Sequence, residues 1–121
     1  MVQKTNYINK IKCGGYAVVF DRFLEIGMKT LIEVTRDDKE YFFPSKVEDI
    51  DKDIITLGMP IKGGKTFFIN IGEKIKIYFS RKGSFYCIEG EVEKKRYEPI
   101  PVITMRSLSP PYKKQKRSFF R

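Results

Sequence analysis

Histidine is absent from this 121-residue chain. Without an imidazole, neither a Ser/His nor a Cys/His nucleophile pair can be built, and the commonest metal ligand is missing. Tryptophan is absent too, and cysteine is limited to Cys13 and Cys87. These two lie far apart, without the short paired spacings of zinc or redox sites, so each reads as a small buried hydrophobe. No apolar run approaches the ~20 residues that cross a bilayer, the longest near the start being Tyr16 to Phe20. The N-terminus carries no secretory h-region, which makes a cytoplasmic, reducing setting the expectation. Residues 99–121 contain no Asp or Glu.

That last absence divides the chain by charge. Arg106, Lys113, Lys114, Lys116, Arg117 and Arg121 give residues 99–121 a net charge of +6, whereas the first 98 residues set 18 basic side chains against all 15 acids. The body is near-balanced and the tail is basic. A basic tail attracts nucleotides, nucleic acid or anionic surfaces, and charge does not choose among them. Ten Phe and seven Tyr, within 41% hydrophobic residues, describe a globular chain rather than a disordered one. Aromatic content on this scale favours β structure.

From Phe23 onward the pattern is one of short alternating runs separated by turns. Thr30, Ile32 and Val34 face one way along Lys29 to Thr35, and Arg36-Asp37-Asp38-Lys39 reads as a turn. Glu40 to Ile50 carries Tyr41, Phe43, Ser45 and Val47 on one face, with Pro44 demoting that part to an edge or a bulge. After Asp51-Lys52-Asp53, Ile54 to Leu57 is a short buried strand, and Gly63-Gly64-Lys65 turns the chain into a strand over Thr66 to Ile71. In Lys74 to Ser80, Ile75, Ile77 and Phe79 point inward while Lys74, Lys76 and Tyr78 point outward. Arg81-Lys82-Gly83-Ser84 reads as a hairpin turn. Phe85 to Lys95 follows, with Tyr86, Ile88, Gly90 and Val92 on one side and Gly90 marking a bend or bulge, and Ile100 to Met105 is the last strand. The expected fold is therefore all-β: a small antiparallel barrel of about six or seven strands with an extended C-terminal linker. Residues 1–22 read as a partly ordered leader, 23–108 as the barrel and 109–121 as a basic linker.

Few side chains here suit catalysis. Glu48, Asp49, Asp51 and Asp53 straddle a turn that also holds Lys52, which reads as a solvated hairpin rather than an acid/base pair or a calcium loop. Gly63-Gly64-Lys65-Thr66 lacks the longer Gly-rich spacing of a phosphate loop and is read as a turn. Phe42-Phe43 and Phe67-Phe68 are adjacent aromatic pairs, so one of each belongs to the core and its neighbour faces out, toward a partner surface.

The last seven residues, Gln115-Lys116-Arg117-Ser118-Phe119-Phe120-Arg121, differ from a merely solubilising tail. Arginine, with its fixed fork of donors, suits phosphate and guanine edges better than lysine does. Phe119-Phe120 supplies an anchor for a neighbouring domain, and Pro110-Pro111 a rigid spacer. This stretch resembles the Gln-Arg-Arg-x-x-aromatic-Arg junction of flagellar brake proteins of the YcgR type, where a PilZN barrel joins a PilZ domain. Phe23-Leu24-Glu25-Ile26-Gly27, Met59-Pro60-Ile61-Lys62-Gly63-Gly64-Lys65 and Gly72-Glu73-Lys74-Ile75-Lys76-Ile77-Tyr78-Phe79 resemble other parts of that layout. Lys116 stands where the family has its first arginine, while Arg117 and Arg121 meet its Arg-x-x-x-Arg requirement.

The resemblance implies a PilZ-like split barrel, a non-enzymatic role and no cofactor. It implies cyclic di-GMP as ligand, gripped by Arg117 and Arg121 with Lys116 and Gln115 beside them, once a PilZ domain follows. The second half of such a site is an Asp/Asn-x-Ser-x-x-Gly motif, which these 121 residues do not contain. The chain alone is therefore expected to bind cyclic di-GMP weakly or not at all. The implied partners are the PilZ domain and flagellar motor proteins, stator or switch, at the flagellar basal body. The alternative is a small nucleic-acid-binding barrel using the basic tail, which predicts a basic and aromatic strip across the body as well. The outward acids Glu89, Glu91 and Glu93 count against it.

Overall fold

The structure, a computed structural model, describes residues 23–114. The leader read at 1–22, Cys13 and the arginine motif at 115–121 lie outside the described residues. Within them the regular elements are nine strands: β1 Lys29–Arg36, β2 Lys39–Asp51, β3 Ile54–Gly58, β4 Ile61–Lys62, β5 Lys65–Thr66, β6 Lys74–Arg81, β7 Ser84–Arg96, β8 Val102–Ser107 and β9 Tyr112–Lys114.

Six antiparallel strands run in the order β6-β1-β2-β3-β8-β7, and pairing of β6 with β7 closes them into a barrel, as the alternating runs predict. Three connections are two-residue turns with both central residues at positive φ: Asp37-Asp38, Gly63-Gly64 and Lys82-Gly83. That geometry matches the right-handed twist of the flanking strands. Pro44 lies opposite Leu31 of β1, in the part of β2 that precedes its pairing with β3 at Val47. The missing N–H therefore costs no ladder bond on that side.

Every second residue of each long strand fills the barrel. Ile32 and Val34 from β1, Phe43 and Val47 from β2, Ile55 and Leu57 from β3, Ile75, Ile77 and Phe79 from β6, Ile88 and Val92 from β7, and Ile103 and Met105 from β8 are all buried. Each such side chain contributes about 1.5–3 kcal/mol by leaving water. At Gly90, β7 is paired on both edges, with Ile75 of β6 on one side and Ser107 of β8 on the other. A Cβ there would stand 2.3 Å from Met105 Cγ and 2.9 Å from the Arg106 carbonyl oxygen, so Met105 fills the space a side chain would need.

The two ends of the barrel are closed differently. At the end holding the β6–β7 turn, Leu24 is buried, and the Phe23 ring meets Tyr86 edge-on with centroids 4.9 Å apart. The Gly27 N–H donates to the Val47 carbonyl at 2.7 Å, fastening this entry segment to β2. At the other end the stretch after β5 lies across the barrel mouth. The alternation from Thr66 to Ile71 suggests a strand, but β5 stops at Thr66 and the rest is irregular. Side chains hold it instead. Arg36 donates from Nε and Nη2 to the two oxygens of Glu73 at 2.9 and 2.8 Å, and the Asn70 N–H donates to Glu73 Oε1 at 3.0 Å. Phe67 turns inward against Phe43, with centroids 4.3 Å apart, and the Arg36 guanidinium lies 4.8 Å from the Phe67 ring. Phe68 turns outward, so the Phe67-Phe68 pair splits between core and surface as expected, though without a strand.

Two further differences concern the C-terminal part. The last barrel strand runs Val102–Ser107 rather than Ile100 to Met105. Pro99 and Pro101 lack the N–H groups that would extend its ladder. The stretch read as the start of the linker at 109–121 contains a ninth strand, Tyr112–Lys114, because the edge of β7 beyond β8 is open and accepts it.

Candidate functional site

Gln115, Lys116, Arg117 and Arg121 lie outside the described residues, but the root from which they extend is defined. β9 pairs antiparallel with the start of β7, Tyr112 opposite Cys87 and Lys114 opposite Phe85. β9 therefore ends beside the β6–β7 turn.

β8 and β9 occupy the same edge of β7, and the four residues between them replace two in the ladder. The Leu108 N–H donates to the Glu89 carbonyl at 2.7 Å. The following position would require a donor or acceptor that Pro110 and Pro111 cannot supply in full. Ser109 substitutes with its side chain, Oγ accepting from the Glu89 N–H at 3.1 Å. Tyr112 then reaches back along the outer face and donates from its hydroxyl to Glu89 Oε2 at 2.7 Å. Cys87 is fully buried beside it. Burial pushes the Cys87 thiol up, a hydrogen bond with Tyr112 opposing. Burial likewise raises the Tyr112 phenol far above its ordinary range, helped by Cys87 and Glu89. A protonated thiol and a protonated phenol make this a structural contact rather than a nucleophilic centre.

The outer face next to β9 is more covered than the alternation of charges implies. Tyr78, read as outward, is indeed on the outside of β6, yet it is buried and donates its hydroxyl to Glu33 of β1, itself buried. Burial, then the bond to Glu33, drives the Tyr78 phenol far up in pKa. The Phe42 ring lies 6.4 Å from that of Tyr78. Leaving Glu33 in such a place without a donor would cost ~1–3 kcal/mol. A recess of about 390 Å³ opens alongside, lined by Glu33, Thr35, Lys74, Lys76, Glu89 and Leu108 among others. A second, of about 300 Å³, lies between Lys29, Leu31, Tyr78, Ser80 and Phe85. Nothing in the sequence flags this cluster, because it depends on β1, β6, β7 and β9 being neighbours.

Elsewhere several charges of the body are paired. Arg106 bridges Glu93 at 2.9 Å and Glu91 at 3.6 Å, and Arg81 approaches Glu25 at 3.7 Å. The outward acids of β7 thus occupy a face on which a nucleic-acid reader would need free cations. Among the described residues no group of three or more His, Cys, Asp or Glu side chains could hold a metal ion, and no helix is long and apolar enough to cross a membrane.

Known proteins share this architecture. The inhibitor of motility MotI/DgrA of Bacillus subtilis superposes with a TM-score of 0.66 at 18% identity, covering 78% of this chain and 47% of that one. A solution structure of an N-terminal domain superposes with a TM-score of 0.64 at 16% identity, covering 84% of this chain and 93% of its own. At such identities the likeness is one of fold. The chain spans about half the length of the motility inhibitor. No curated protein sequence matches it. The family profile PilZNR, described as flagellar protein YcgR, matches residues 25–107, which takes in the whole barrel from before β1 to the end of β8. The chain therefore belongs to the YcgR flagellar-protein family, a family of PilZ type whose setting is flagellar motility.

Proposed function

We propose that this chain is the non-enzymatic N-terminal barrel of a cyclic di-GMP effector that regulates flagellar motility. Its Arg117 and Arg121, with Lys116 and Gln115 beside them, form one half of the ligand site, and a PilZ domain following the linker supplies the other. The chain works in the cytoplasm at the flagellar basal body, where it meets a stator or switch protein. It carries no resident cofactor.

The observation that carries this reading is the root of the linker. Because β9 is hydrogen-bonded to β7 and runs directly into the arginine motif, tension on the motif acts on the barrel wall rather than on a slack tether. Ligand that draws the two arginines toward a PilZ domain then reorients one barrel against the other. That is a population shift, and its size is set by how much better ligand binds one arrangement.

The test is calorimetry on a chain that includes the PilZ domain. Saturable cyclic di-GMP binding is expected, with at least a hundredfold loss on Arg117→Ala plus Arg121→Ala and an unchanged melting curve for the barrel. The 121-residue chain alone should show only weak, salt-sensitive attraction. Affinity that survived the double substitution would defeat the role given to the arginines. A gel shift with single-stranded DNA and RNA at two salt concentrations addresses the nucleic-acid alternative, which the paired charges of β7 and β8 argue against.

A further inference from the structure

Among the described residues, eight large hydrophobic side chains are exposed, and five of them gather at one end of the barrel: Ile61 at 55%, Phe68 at 62%, Ile71 at 63%, Tyr97 at 54% and Ile100 at 47%. They come from two stretches, 59–73 and 97–101, that the backbone ties side by side. The Met59 N–H donates to the Pro101 carbonyl at 3.1 Å and joins the two, the Phe67 N–H donates to the Pro60 carbonyl at 2.9 Å and folds the first stretch on itself, and the Gly72 N–H donates to the Val92 carbonyl of β7 at 2.8 Å. Lys95 Nζ lies 4.2 Å from the centre of the Phe68 ring, fixing that ring against the end of β7. The Arg36 and Glu73 pair ties the end of the first stretch to β1. Five exposed apolar side chains on a braced framework form a preorganised contact surface, since binding need not order it first.

Its rim is basic. Lys65, Lys94, Lys95 and Arg96 border it, with Glu98 as the acid in that sector, because Glu73 is already taken by Arg36. Asp37 and Asp38 belong to the β1–β2 turn, across the barrel from β7 and β8. β9 ends at the other end: Lys114 lies opposite Phe85, whereas the surface adjoins Arg96, up to about 36 Å along β7 at ~3.3 Å per residue. The surface is thus at the end of the barrel away from Lys114.

We infer that this end of the barrel is the docking surface for a flagellar motor protein, one that offers an apolar ridge flanked by carboxylates. This rests on the motility reading above and names the surface that the reading leaves open. Phe68 and Ile71 supply the apolar contact, and the Lys94-Lys95-Arg96 run steers the encounter, so the association rate should fall with salt.

The experiment measures binding of the chain to the purified cytoplasmic regions of the stator and rotor-switch proteins from the same bacterium, by biolayer interferometry at two salt concentrations. The variants are Phe68→Glu with Ile71→Glu, Lys94→Glu with Lys95→Glu, and Ile26→Glu at the opposite end as control, each checked for an unchanged melting temperature. Should the first pair unfold, Ile61→Glu takes its place. Support would be binding to one motor protein that weakens at least tenfold in the apolar variant, slows mainly in association in the charge variant and stays within twofold in the control. Binding insensitive to the apolar variant overturns the surface while leaving the motility reading intact. Binding to neither protein overturns both. A wild-type chain that dimerises and becomes monomeric on Phe68→Glu with Ile71→Glu overturns it in favour of self-association. Binding only to phosphatidylglycerol vesicles, lost in the same variants, overturns it in favour of a lipid surface.

Discussion

Arg36 and Glu73, 37 residues apart in sequence, meet as a two-point ion pair at 2.9 and 2.8 Å at the mouth of the barrel, where β1 ends beside the approach to β6. One end of β1 is thereby fastened to the stretch that leads into β6. The hydrogen bond from Arg36 holds the Glu73 carboxyl below its usual value of 4.5, with burial opposing. A carboxylate whose pKa is lowered by folding stabilises the native state above its unfolded pKa, and that contribution disappears as pH falls through the lower folded value. Thermal melts between pH 7 and pH 3 should therefore show a loss of stability beginning below about pH 4.5. Glu73→Gln should lower the melting temperature at pH 7 and flatten this part of the profile. An unchanged acid limb in the variant would show that the pair is not its source.

Gly90→Ala is expected to destabilise the barrel by about 1–3 kcal/mol, the cost of forcing atoms into a filled core. The added carbon would overlap Met105 and the Arg106 backbone carbonyl together, and the carbonyl belongs to the β8 backbone and cannot turn aside. Shortening Met105 in the same chain should consequently not restore stability. Urea denaturation of the single and double variants measures this. A Gly90→Ala protein as stable as the parent would mean that β7 and β8 can separate at no cost.

Tyr78→Phe should cost about 1–3 kcal/mol, because it removes the hydroxyl that donates to buried Glu33. Tyr78→Phe combined with Glu33→Gln should cost less than the separate losses added together, since the two act on one interaction. A double-mutant cycle by chemical denaturation reads the coupling. Strict additivity would mean that the bond has no energetic weight.

β9 should shield Cys87, since three register pairs and the Tyr112 to Glu89 bond hold it against β7. In a Cys13→Ser background, Tyr112→Ala should raise the rate at which Cys87 reacts with an aromatic disulfide reagent by at least tenfold. In the parent, the thiol is buried and its pKa raised, so reaction should be slow. Equal rates in the two proteins would mean that something other than β9 shields Cys87.

The exchange between sequence and structure is clearest strand by strand. Alternation in Lys74 to Ser80 and in Lys29 to Thr35 marks which residues enter the core, because period-2 patterning records a two-faced strand wherever it occurs. Asp37-Asp38 and Lys82-Gly83 are legible as turns for the same local reason. The aromatic pairs at 42–43 and 67–68 also declare one inward and one outward member. The stretch after Thr66, by contrast, looks like a strand by hydrophobicity alone, and its irregular path rests on Arg36, which is remote in sequence. The arginine motif lies outside the described residues and is proposed as a binding element on residue types and spacing alone, while the strand before it, β9, was not legible. Three residues, Tyr112 to Lys114, are too few to carry a periodic signal.

By itself, the sequence determined that the chain is a β-rich barrel with a near-neutral body and a basic end, since alternation, turn chemistry and charge are local properties. Only the tertiary structure decided which strands close the ring, that Tyr78 and Glu33 are buried on the outside, that β9 docks on β7, and that Phe68, Ile71 and Tyr97 share one end. The physical reason is that each of these depends on register between segments distant in the chain. Ile32 pairs with Ile77 and Cys87 with Tyr112 because the whole barrel sets their alignment, and no single segment contains that information.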